Sequence, residues 1–241
     1  MSNLVISIYY CDYSQVLAFK PSPTTSPKLN STTGEDKNST KDNSTEPSDN
    51  ENKSSVQATK TNDTNSTGSS PSFLVYHNSN YGFRISYPPN WNLIEGNHIP
   101  GSNFKGMDAV VAFVPPGELA TSNGYTAFVG IYVDHAAKNL DMEEYLSQNV
   151  KDVMKDKILT NLIMDKANTS GLLSGQPAYV MSYSTDKELV NGVTKVITKE
   201  IGTKVQGDYY FIDYIAYGDR SDKYLNDAQK MVDSFEISGV Q

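Results

Sequence analysis

The chain is predicted to adopt an α+β fold, an antiparallel β-sheet flanked by helices. Three observations predict it. Residues 73–241 are rich in short apolar runs of strand period, Asn-Gly and Gln-Gly steps separate several of these runs as hairpin turns, and two longer stretches repeat their apolar residues at helical spacing. Tight turns make neighbouring strands antiparallel, and a helix with one apolar stripe buries it against the broadest apolar surface on offer, here a sheet.

Taken in order, Phe73 to Tyr76 is a first short strand, and His77 to Gly82 is the turn into a second. In that second strand Phe83, Ile85 and Tyr87 alternate with Arg84 and Ser86, the period of a strand with one buried face. Pro88-Pro89 ends it, since neither proline donates a ladder hydrogen bond, and Trp91 follows as a plug beneath the hairpin. Asp108 to Val114 and Thr126 to Val133 are apolar on both faces and belong in the middle of the sheet, with Asn123-Gly124 as a turn ahead of the latter. From Asp141 to Lys155 the period changes: Met142, Tyr145, Leu146, Asn149, Val150, Val153 and Met154 form one helical stripe. Asp141 with Glu144 makes a capping box, and Leu140 with Tyr145 occupies the staple positions.

Ile158 to Asp165 returns as a strand, and Gly171-Leu172-Leu173-Ser174-Gly175 reads as a turn before the next. Ala178 to Ser184, Val193 to Val205 and Asp208 to Tyr217 then make an antiparallel meander with turns at Asn191-Gly192 and Gln206-Gly207. Its middle strand mixes Lys195, Lys199, Glu200 and Lys204 with Val196, Ile197 and Ile201, so one face is expected to meet water. Asp219 or Ser221 caps a second helix striped by Tyr224, Leu225, Ala228, Met231, Val232 and Phe235, and Glu236-Ile237 adds a short last strand.

Ahead of this domain the composition is different. Residues 1–18 read as a signal-like leader, with Val16 and Ala18 at the positions a signal peptidase accepts but no Lys or Arg before them; a lipid anchor on Cys11 is the alternative. Its apolar run is too short to span a bilayer. Residues 19–72 are dominated by Ser, Thr, Asn, Pro, Lys and acidic residues and cannot offset the entropy of ordering a backbone, so a disordered tether is expected. It contains Asn-x-Ser/Thr sequons at Asn30, Asn38, Asn43, Asn52, Asn62 and Asn65, and a seventh stands at Asn168 in the domain. These are the candidate glycosylation sites.

At this point a resemblance is visible. Gly82-Phe83, Tyr87-Pro88 and Trp91 resemble the opening "GF-x-x-x-YP-x-x-W" signature of PsbP-like domains, the relatives of the extrinsic oxygen-evolving-complex protein of photosystem II. Asp233-Ser234-Phe235-Glu236-Ile237 is similar to that family's closing helix and its Ser-Phe exit. The resemblance spans about residues 73–238. It implies an α-β-α sandwich and a mode of action by docking onto a larger assembly, without catalysis. The family's basic N-terminal segment is replaced here by a near-neutral linker with six Lys against seven Asp or Glu, so no functional residue is carried over.

Chemistry is sparse. A formal net charge of −8 without a basic stripe excludes nucleic acid as the partner, and Cys11 is the only cysteine, which excludes an intramolecular disulfide or thiolate metal site. The histidines, His77, His98 and His135, have no metal-ligand spacing; Asp134-His135 with Asp141, Glu143 and Glu144 is the one acidic group near a histidine, and capping already accounts for part of it. Ser174 does not stand in a nucleophile elbow, and no phosphate-binding glycine loop is present. Tyr179, Tyr183, Tyr209, Tyr210, Tyr214 and Tyr217 gather on the meander; Tyr210 and Tyr214 share a face and are the candidate contact surface. The expectation is a non-enzymatic, secreted or surface-tethered module, without cofactor, metal or transmembrane span, that binds an unknown protein or envelope component. The alternative is a carrier of a small ligand or divalent cation with Asp134, His135 and the tyrosines as walls.

Overall fold

The computed structural model describes residues 72–96, 99, 106–118, 124–189 and 192–238; the leader and, apart from Ser72, the linker lie outside them. The elements follow as β1 (Leu74–Asn78), β2 (Phe83–Tyr87), β3 (Asn92–Ile94), β4 (Met107–Val114), β5 (Ala127–Asp134), α1 (Met142–Lys155), β6 (Thr160–Leu173), β7 (Gln176–Leu189), β8 (Gly192–Val205), β9 (Asp208–Tyr217), α2 (Arg220–Asp233) and β10 (Glu236–Ile237). Seven strands form one sheet in the order β3-β4-β5-β9-β8-β7-β6, and β1, β2 and β10 form a second of three. Every pairing is antiparallel. This is the α+β class expected.

Local chemistry accounts for the element ends. Asp141 accepts from the Glu144 amide at 2.8 Å while the Glu144 carboxylate accepts from the Asp141 amide at 3.1 Å, closing the capping box at the start of α1. Gln206 and Gly207 both have positive φ, 52° and 98°, as a two-residue hairpin between right-twisted strands requires. Ser174 and Gly175 repeat that geometry at 53° and 73°, so β6 runs on through Gly171 to Leu173 and the turn is confined to two residues. Asn191 lies outside the described residues, as does Asn123; Gly192 pairs with Leu189.

Two cores lie on opposite faces of the large sheet. Beneath α1, Tyr145, Leu146 and Val153 pack with Tyr132, Tyr179, Met181, Tyr209 and Phe211. On the other face α2 lies between β9 and β5 of the large sheet and β2 of the small one, with Tyr224, Ala228, Met231 and Phe235 against Phe83, Ile85, Trp91, Val129 and Ile212. A register shift between Ala109 and Val111 lets the consecutive residues Val110 and Val111 join the same core. Met154, expected in the α1 stripe, is instead 60% exposed: Val153, 1% exposed, holds the core position in the last turn, and Met154 lies about 100° round the helix from it.

Candidate functional site

Strand register concentrates acidic side chains under α1. Glu200 of β8 pairs with Asp213 of β9, and Asp213 pairs with Gly130 of β5, so both carboxylates point to the α1 side of the sheet. Glu200 is 3% exposed and Asp213 fully buried, which corrects the expectation that Glu200 faces water: it shares parity with Val196 and Thr198, not with Lys195 and Lys199. The Tyr179 hydroxyl donates to Glu200 at 2.6 Å. Tyr179 is seated over Gly202, its cross-strand partner, and Tyr132 folds back over Gly130; a Cβ at either glycine would come within 2.6 Å of the ring above it. One turn further, the Tyr145 hydroxyl donates to Asp134 at 3.2 Å, the Ala136 amide donates to the other Asp134 oxygen at 2.7 Å, and the Tyr145 ring stacks on Tyr209 at 3.8 Å.

Burial governs how these groups titrate. Desolvation raises the carboxyl pKa of Glu200 and of Asp134 and raises the hydroxyls of Tyr145 and Tyr179 well above the ordinary tyrosine value. A carboxyl that holds its proton more tightly folded than unfolded stabilises the fold fully below its unfolded value of about 4.5, and that stabilisation fades as pH rises through the folded value. Unfolding free energy, followed by urea denaturation from pH 4.5 upward, is therefore expected to decline more steeply for the natural chain than for Glu200→Gln. Equal slopes would remove Glu200 as the source.

His135 points away from this cluster. Its Nε2 lies 3.1 Å from Asp108 and its Nδ1 3.1 Å from Asp208, which also binds Lys138 at 3.2 Å. The Tyr81 hydroxyl donates to Asp108 at 2.6 Å and the Tyr81 ring stacks on the imidazole. Partial burial works against the charged imidazole, but the Asp208 and Asp108 carboxylates outweigh it and raise its pKa. Both ring nitrogens are thus committed to carboxylates, and the arrangement clamps the β1–β2 turn to the ends of β4, β5 and β9. Of the acidic group around His135 and the walls suggested for a carrier, Asp134 turns under α1, His135 turns outward, and Asp141 and Glu144 serve the helix cap. Among the described residues no group of three or more His, Cys, Asp or Glu side chains is placed to hold a metal ion.

A third polar centre had no sequence signal. Glu118, 6% exposed, accepts from Thr126 and Arg220 through one oxygen, the Arg220 contact being 2.6 Å, and from Tyr224 at 3.0 Å through the other. Burial opposes its charge, yet these donors prevail and hold its pKa below the ordinary value. Asp219 occupies the N-cap position of α2 without capping through its side chain; Glu118 and the Tyr214 hydroxyl, 2.9 and 2.8 Å from the Arg220 and Ser221 carbonyls, secure that end. Tyr214 is accordingly 4% exposed and Tyr210 half-buried, so the suggested contact surface of Tyr210 and Tyr214 is not available: α2 and the small sheet cover that face. Of the sequons, Asn30, Asn38, Asn43, Asn52, Asn62 and Asn65 lie outside the described residues, and Asn168 stands on β6. His98 also lies outside them, and His77 is exposed.

No helix among the described residues is long and apolar enough to cross a membrane. No family model matches the chain, and no curated protein does. Among solved structures, the chain is similar to cyanobacterial PsbP (CyanoP) from Synechocystis sp. PCC 6803, at 14% identity over 73% of this chain and 98% of that one, with a TM-score of 0.47. It is also similar to LpqN of Mycobacterium tuberculosis, at 15% identity over 64% and 82% of the two chains (TM-score 0.43), and to the Ran-binding protein Mog1p of Saccharomyces cerevisiae, at 12% over 70% and 96% (TM-score 0.41). The family that the stretch from Gly82 to Trp91 resembles is the one to which the first of these structures belongs.

Proposed function

We propose that the chain is a non-catalytic, extracytoplasmic PsbP-like module, tethered or secreted, that docks onto a protein or envelope assembly. The observation that carries this reading is how the reactive side chains are spent. His135, Glu118, Asp134 and Glu200 each hold elements together, through the contacts given above, and the tyrosine hydroxyls of Tyr209 and Tyr214 reach backbone carbonyls. Docking is supported by the distribution of exposed apolar residues: Met154, Ile158 and Ile163 are 60%, 60% and 55% exposed and succeed one another from the end of α1 into the edge strand β6. Location outside the cytoplasm is supported by the leader and by the sequon-rich linker.

The test is fractionation of the cells that make the protein, followed by crosslinking and affinity purification of the full chain. One stoichiometric partner is expected from the envelope fraction, with recovery reduced about 10-fold or more by Met154→Asp with Ile163→Asp. Recovery of the chain from the cytosol, or unchanged capture by the double variant, overturns the reading. A saturable divalent-cation site by calorimetry favours the carrier instead.

A further inference from the structure

β6 is an outer strand of the large sheet and 14 residues long, so among the described residues one side of its backbone has no neighbouring strand. Long open edges invite pairing with other chains, and proteins blunt them. One device is already visible: the β6–β7 register shifts at three places, each inserting one extra residue in β6. The last lies between Asn168, opposite Val180, and Gly171, opposite Ala178, and it sets Thr169 and Ser170 out of register with β7.

That bulge contains the one sequon among the described residues, Asn168-Thr169-Ser170. The Asn168 side-chain oxygen accepts from the Ser170 hydroxyl at 2.8 Å and from the Ser170 amide at 3.2 Å. Ser170 is exposed, and Asn168 Nδ2 has no partner among the described residues. Asn168 also lies in a row with Val180 and Ile201, both half-buried, on the face opposite α1, where α2 packs chiefly against β9, β2 and β5 instead. Leu172, four residues further along the edge, is 70% exposed on the other face, since its neighbour Leu173 joins the core on the face opposite α1.

We propose that Asn168 is an N-glycosylation site whose oligosaccharide covers the open edge of β6 at the Asn168–Gly171 bulge. The donor class is an oligosaccharide carried on a lipid phosphate. Asn168 Nδ2 forms a bond to the anomeric carbon, the bond from that carbon to the phosphate oxygen breaks, its electron pair leaves on the lipid phosphate, and the amide releases one proton. The Ser170 hydroxyl on Oδ1 polarises the amide and supplies the acceptor motif's third residue. Ile163 is five residues away, about 16 Å along a strand. The inference rests on the extracytoplasmic reading above.

The experiment is mass spectrometry of the full chain isolated from fractionated native cells. Trypsin releases Ala167–Lys187, which has Asn168 as its sole sequon. A hexose-containing adduct located on Asn168 by fragmentation is expected, retained in Thr169→Ala and lost in Ser170→Ala. Ser170→Ala, folded by circular dichroism, is also expected to self-associate at concentrations where the natural chain is monomeric. An envelope-resident chain with a bare Asn168 overturns this inference and leaves the proposed function standing; a bare chain in the cytosol overturns both.

Discussion

Phe235→Ala is expected to lower the unfolding free energy by about 3–5 kcal/mol, the range for deleting a buried aromatic ring. The ring is 1% exposed and lies 5.3 Å from Phe83, at the junction where α2 ends and the small sheet begins. Ser234 precedes it, accepting the Ser86 amide at 2.9 Å and donating to the Met231 carbonyl at 2.8 Å, and Glu236 and Ile237 pair with β2 just after it, so the chain is fastened to β2 on both sides of the ring. The backbone therefore has little freedom to collapse into the vacated volume. For a domain of this size the loss corresponds to roughly 6–20 °C in melting temperature, read by calorimetry on the full chain. A shift below about 3 °C would mean that the small sheet and α2 do not share a core, since that is the shift of a near-surface substitution.

Gly202→Ala carries the next largest effect, about 3 kcal/mol, the upper end for overpacking a filled core. Its Cβ would lie 2.5, 2.6 and 2.7 Å from Cε1, Cζ and Oη of Tyr179, a ring that is fully buried and bonded to Glu200. The ring has nowhere to swing without abandoning the Glu200 carboxyl. A double-mutant cycle isolates the clash: once Tyr179→Ala has removed the ring, Gly202→Ala should cost little or stabilise, because alanine gives up less backbone entropy than glycine. Additive losses would contradict the packing described.

The contrast between α1 and β8 shows which features could be read from residues alone. Asp141, Glu144, Leu140 and Tyr145 specify the start of α1 among themselves within six residues, so that boundary was legible to the residue. Glu200 was not: whether it meets water depends on Asp213 opposite it in β9 and on α1 above. Its parity with Val196 and Thr198, and the lone Asp213 amid Phe211, Ile212, Tyr214 and Ile215, were the available signs. The face of Tyr210 and Tyr214 is decided by where α2 packs, which a period-two pattern does not encode. Similarly, β2 showed its own strand character clearly, but its separation from the main sheet depends on a partner at the far end of the chain. Glu118 is the extreme case, a single acidic residue after Pro115-Pro116-Gly117 whose three donors come from β5's approach and from α2.

That far partner is β10, whose Glu236 and Ile237 register with Arg84 and Phe83, and the Arg84–Glu236 contact joins residues 152 positions apart. At a synthesis rate of about 5–20 residues per second, roughly 8–30 s pass between the making of β2 and the making of its mate. During that interval the hairpin of β1 and β2 exists with one flank unguarded, long after a hairpin closes in microseconds. Completion of the domain is thus timed by the arrival of its last strand, and a nascent chain stalled before Glu236 would present an unfinished surface to whatever meets it first.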